Sequence, residues 1–159
     1  MALRPYNGFT PEQRVAGARW LDAEIAAGRA RHPTRCHACG RSDIQVRGHS
    51  EDYSAPYGPH IGQFALCVTC HLVVHMRHRA PSAFAEYARQ VANGAYPASV
   101  RSYEGVKVLL FSGGQTGTWK RSSREPLIDL RQMVMMPGSY PNWADLERAD
   151  LHSPQDAVQ

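Results

Sequence analysis

Two C-x2-C pairs constrain this chain more than any other feature. Cys36/Cys39 and Cys67/Cys70 are separated by 27 residues, and no cysteine is left over. Two cysteines two residues apart can approach one ion from a single turn, and a second pair completes a tetrahedral set of soft ligands. Met1 to Thr10 contains no apolar core of the secretory kind, so a reducing cytoplasm is expected. There such pairs are metal ligands rather than disulfides. The expected centre is a structural zinc ion on Cys36, Cys39, Cys67 and Cys70. The spacer is longer than a compact finger loop, so it encloses a substructure of its own.

The length of 159 residues fits one domain. No apolar run approaches the ~20 residues of a membrane span, and no membrane partner is expected. Residues 1–9 read as an irregular arm. Thr10-Pro11-Glu12-Gln13 then predicts a capped helix start, with Val15, Ala18, Leu21 and Ile25 as its apolar stripe and Gly28 at its end. Asp43 to His49 alternates as a short strand, and Phe64 to Leu66 could pair with it. Pro56, Gly58, Pro59 and Gly62 make 54–62 a loop. Cys70 to Arg79 predicts a helix, and Pro81 opens another whose apolar face is Phe84, Tyr87, Ala88 and Val91. Val106 to Phe111 reads as a strand, and Leu127 to Met136 as strand-like or mixed. Met133, Met135 and Met136 read as core or interface filler. From Pro137 the chain is turn-rich.

His71-Leu72-Val73-Val74-His75 follows directly on the last cysteine. On a helix, positions i and i+4 share a face, so His71 and His75 can bind one divalent ion together. The spacing also matches the histidines of a zinc protease. That chemistry needs Glu after the first His, and Leu72 stands there, which excludes it. His49 ends the first strand.

Taken together, RCHACG…VRGHSEDY…LCVTCHLVVH, from Arg35 to Arg79, resembles the HNH or ββα-metal endonucleases in their four-cysteine form. The resemblance covers the middle third of the chain. It implies an α+β fold: a ββα-metal core stapled by zinc, an N-terminal helix, and a small β-containing C-terminal extension. The corresponding segments are an arm and helix over 1–34, the core with its following helix over 35–94, and an extension with an acidic tail over 95–159. The resemblance also implies roles. His49 is the general base, and His71 and His75 hold a catalytic divalent metal, Mg²⁺ or another cation. The reaction is hydrolysis of DNA phosphodiesters to 3′-hydroxyl and 5′-phosphate ends. Restriction, phage-type and homing-type nucleases all fit, and a palindrome cutter needs a two-fold dimer.

The chain departs from the family pattern twice. Many members carry Asp or His before the strand-end His, where Gly48 stands here. Either the metal has fewer protein ligands, or His49 is a ligand and another group is the base, with Glu51 and Asp52 near enough to contribute. The Asn that usually orients the base would fall near Gly62, with Gln63 or His60 as substitutes. The alternative is a catalytically inactive zinc-finger protein that binds DNA and regulates. The motifs do not distinguish DNA from RNA.

Charge agrees with a polyanionic partner, double-stranded DNA above all. Residues 1–124 carry a net +8 and residues 125–159 a net −4. Arg41, Arg47, Arg77 and Arg79 are the expected phosphate contacts. Tyr53 and Tyr57 read as loop packing. Ser112 to Gly117 has the composition of a phosphate cradle but lacks the following helix such a cradle needs.

Overall fold

Asn7-Gly8 turns the chain back on itself before any regular element begins. Tyr6 and Phe9 exchange both backbone hydrogen bonds, at 3.0 and 2.9 Å. Asn7 (φ 50°) and Gly8 (φ 82°) take the positive φ that a tight two-residue turn requires. The expected irregular arm is thus a closed turn over Tyr6–Phe9. The structure is a computed structural model describing residues 3–97, 100, 102–111 and 119–135. The expected Ser112–Gly117 loop, Met136 and the turn-rich stretch from Pro137 lie outside the described residues. The described residues fall into two compact units: those up to Pro33 with Gly48–Phe64 in the first, Thr34–Arg47 and those from Ala65 onward in the second.

In the first unit, helix α1 (Pro11–Ala26) starts as the sequence predicts. Thr10 Oγ1 accepts from Gln13 N and Gln13 Oε1 accepts from Thr10 N, a complete capping box. The predicted stripe is only partly buried, and Ala18 is exposed. The buried position is Gly17, where a Cβ would lie 3.1 Å from the Tyr53 ring and 3.3 Å from Ile61 Cδ1. Glycine lets the 48–64 segment pack directly on the helix backbone. Trp20 meets Tyr57, Phe9 meets Tyr53, and the Arg14 guanidinium lies over the rings of Tyr6 and Tyr53. Tyr53 and Tyr57 therefore pack.

Strands β1 (Val46–His49) and β2 (Phe64–Cys67) form a two-stranded sheet. All four β2 residues are buried. Burying a side chain the size of Leu or Phe stabilises by about 1.5–3 kcal/mol, so this short strand is fixed by packing rather than by its length.

The second unit continues with helix α2 (Val68–Met76), helix α3 (Pro81–Ala92), strand β3 (Ala95–Tyr96), helix α4 (Tyr103–Phe111), strand β4 (Lys120–Arg121) and helix α5 (Leu130–Met135). The α3 face is as predicted: Phe84, Tyr87, Ala88 and Val91 are buried. Strand β3 pairs antiparallel with β4, Ala95 opposite Arg121.

Two expectations are corrected. Val106 to Phe111 is helix, not strand. A short apolar run cannot by itself distinguish the two. Here Ser102 sets the start, its carbonyl accepting from Val106 N and its Oγ from Gly105 N, and α4 packs on α2 and α3 with Val106 and Leu109 buried. Likewise 130–135 is helical: Asp129 Oδ1 accepts from Arg131 N, and Leu130 and Met133 turn into the core.

Candidate metal centre

The four cysteines arrive from two turns of the same construction. Cys39 N donates to Cys36 Sγ and Cys70 N donates to Cys67 Sγ, each at 3.5 Å. The first turn is closed by Cys36 N to Arg41 O and needs Gly40 at φ +79°. A Cβ on Gly40 would also stand 2.5 Å from Ser122 Oγ and 3.0 Å from the Arg124 carbonyl. The segment after β4 roofs this turn. Leu127 N and Ile128 N both donate to the His37 carbonyl, and Arg35 donates to the Glu125 carbonyl. The second turn is the start of α2, with Cys67 as its N-cap.

All four sulfurs lie within 4.8 Å of one another and are buried. Cys39 Sγ and Cys67 Sγ are 3.8 Å apart. A tetrahedral zinc with ~2.3 Å bonds holds its sulfurs about 3.8 Å apart, whereas a disulfide needs about 2.05 Å. No disulfide joins them. Burial works against charge at Cys36, but hydrogen bonds from Cys39, Cys67 and Cys70 outweigh it and hold that thiol well below its ordinary range. Hydrogen bonding to Cys36 and Cys39 pushes Cys67 and Cys70 well above it. One thiolate held by neighbouring thiols is a cluster in which a divalent ion can replace the protons. The donor set fits zinc.

Tyr87 belongs to this centre although sequence reading placed it only on a core face. Its hydroxyl is 3.2 Å from Cys70 Sγ. Burial, then the nearby Cys70, Cys67 and Cys39 sulfurs, push its pKa well above the ordinary value. It therefore stays neutral and can donate to the Cys70 sulfur once a metal ion holds that sulfur as a thiolate. Outer hydrogen bonds of this kind are worth roughly 10- to 100-fold in metal affinity. Tyr87→Phe is expected to weaken zinc retention by about tenfold against a competing chelator, with unchanged stoichiometry.

His71 and His75 lie on α2 one turn apart, half-buried, with their Nε2 atoms 3.0 Å apart. Two nitrogens each ~2.1 Å from one ion and roughly at right angles about it stand about 3.0 Å apart. The pair can hold a second divalent ion. A groove of about 270 Å³ beside His71 is lined by Gln45, Arg47, Leu66, Val68 and Leu72.

His49 lies in the other unit, at the end of β1, and is 1% exposed. Its Nε2 is 2.6 Å from Glu51 Oε1. The same carboxylate receives Tyr6 Oη at 2.6 Å and Asn7 Nδ2 at 2.5 Å. Glu51 thus has a fixed place, and the N-terminal turn supplies two contacts that sequence reading missed. Asn7-Gly8 between aromatic residues was the available signal. Asp52 caps its own turn, accepting from Ser54 N, and His60 Nε2 reaches the Ser54 carbonyl.

Gly48 has a physical reason. A Cβ there would lie 2.9 Å from Gly62 Cα and 3.0 Å from Gly62 O. A side chain at this position has no room, because two backbones meet. Gly48→Asp is expected to destabilise the fold by about 1–3 kcal/mol, as overpacking does, read as a lower unfolding midpoint. It adds no third ligand.

The four predicted phosphate contacts divide. Arg47 and Arg79 are exposed. Arg41 is bidentate to Asp43 and stacks over the Tyr96 ring. It holds the Asp43 carboxyl down to about 2. Arg77 is 8% exposed and donates to the Val74 carbonyl at the end of α2. Arg41 and Arg77 are held by structural partners, whereas Arg47 and Arg79 stay at the surface.

No family model, curated protein or solved structure matches this chain. Its chemistry rests on its own residues.

Proposed function

We propose that this protein is a metal-dependent DNA endonuclease of the ββα-metal kind. The observation that carries the reading is the pairing of His71 and His75, Nε2 to Nε2 at 3.0 Å, on the helix that follows the second cysteine turn. A four-sulfur centre is closed and suits a structural zinc. A two-imidazole centre leaves positions open for water and substrate, as catalytic sites do.

In this reading Cys36, Cys39, Cys67 and Cys70 hold the zinc, and His71 and His75 hold the catalytic cation, Mg²⁺ or another divalent ion. That cation supplies Lewis acidity on the phosphate and the leaving oxygen. His49 takes the proton of the attacking water. The water oxygen bonds to phosphorus as the bond to the 3′-oxygen breaks, leaving a 5′-phosphate and a 3′-hydroxyl. Arg47 and Arg79 contact backbone phosphates, which adds affinity and salt dependence rather than sequence choice. A palindromic site would make the working form a homodimer.

A second reading is supported by Gly48: a zinc-stapled DNA-binding regulator that cuts nothing. Plasmid incubated with the protein and Mg²⁺ or Mn²⁺ separates the two. The nuclease converts supercoiled DNA to nicked or linear forms, stops in EDTA, and loses most activity as His49→Ala. Equal cutting by His49→Ala removes the base assignment.

A further inference from the structure

Glu51 is 3% exposed, and no step of the proposed hydrolysis uses it. Both its oxygens are engaged within one unit of the chain. Oε1 receives the Tyr6 hydroxyl at 2.6 Å and faces His49 Nε2 at 2.6 Å. Oε2 receives the Asn7 amide at 2.5 Å, and that amide also reaches the Glu51 carbonyl at 3.2 Å. The Tyr6 ring stands edge-on to the His49 ring, centroids 5.7 Å apart at 78°. An amide nitrogen can only donate, and the Tyr6 hydroxyl donates here, so the carboxylate acts as an acceptor. The hydrogen in the short contact to His49 then belongs to Nε2. In a neutral imidazole that leaves the lone pair on Nδ1.

We propose that Glu51 is a positioning residue for His49: clamped by Tyr6 and Asn7 of the N-terminal turn, it fixes the ring and makes Nδ1 the nitrogen that takes the proton. The proposal rests on the nuclease reading for its chemistry, but the tautomer it predicts does not. Its physical basis is pre-organisation. A carboxylate that holds an imidazole in one tautomer and orientation supports the base without exchanging a proton itself. The turn at Tyr6–Phe9 thereby becomes part of the site. The region near Gly62, where the orienting Asn is expected, presents a glycine at φ +66° instead.

Long-range ¹H–¹⁵N correlation spectra of the full zinc-loaded chain, recorded on the alkaline side of neutrality, test this. Wild type is expected to show neutral His49 with its proton on Nε2. Glu51→Ala is expected to lose that preference, while Glu51→Gln, which keeps an acceptor oxygen, retains it. If Glu51→Ala fails to fold, Tyr6→Phe serves: it keeps the ring packing and is expected to speed exchange of the His49 Nε2 proton. In plasmid cutting, Glu51→Ala is expected to lower kcat by roughly 100-fold with little change in KM, and Glu51→Gln to recover part of it. A wild-type ring protonated on Nδ1, or doubly protonated in this range, overturns the proposal. So does a folded Glu51→Ala with an unchanged tautomer. A chain that shows the Nε2–H tautomer yet cuts no DNA leaves the positioning intact and removes the nuclease reading.

Discussion

Cys36→Ser or Cys67→Ser is expected to unfold the second unit and reduce bound zinc from one per chain to none. The magnitudes make this the largest effect in the molecule. Structural zinc on such ligands contributes an apparent ~10–16 kcal/mol near neutral pH, while a whole domain is stable by only about 5–15 kcal/mol. Much of this unit is organised by the cluster. The first turn anchors the 122–128 segment through Gly40 and the His37 carbonyl. The second starts α2, and Tyr87 ties α3 to Cys70. Loss of helical circular dichroism on chelation, recovered on zinc addition, is the expected signature. A chain that keeps its helices with zinc removed argues against the staple.

His71→Ala and His75→Ala are expected to abolish cutting while leaving zinc content at one. Lewis-acid stabilisation of a phosphoryl transition state is worth several kcal/mol, and each 1.36 kcal/mol is tenfold in rate. Each variant should therefore lose about 100- to 1,000-fold. The double variant should lose little more than either single one, because residues that act as a unit are not additive. Both positions are half-buried on a formed helix, so alanine, the best helix former, leaves α2 in place. Wild-type rates from either single variant separate these histidines from the chemistry.

Local chemistry made several parts of the fold legible. The capping box of α1, the cysteine turns, the i, i+4 histidines and the face of α3 depend on short-range rules, and the structure follows them. The α4 region misled because Val106 to Phe111 is short, mostly apolar and contains two valines, and only packing against α2 and α3 selects the helix. The 130–135 helix is too short for periodicity to settle. Gly48 was readable as a missing ligand, yet its cause, the approach of Gly62, is a contact between residues far apart in sequence. Tyr6, Asn7 and Glu51 meet across more than forty residues for the same reason. The Asn7-Gly8 dipeptide is a turn signal that the irregular-arm reading passed over, and its target could not be read from the sequence at all.

Cleavage of supercoiled plasmid by the zinc-saturated full chain tests the central claim most directly. With Mg²⁺ or Mn²⁺ present, nicked or linear DNA should accumulate with 5′-phosphate ends, and His71→Ala, still holding one zinc, should leave the plasmid supercoiled. Intact plasmid under every divalent ion, from a folded chain that holds its zinc, would contradict it.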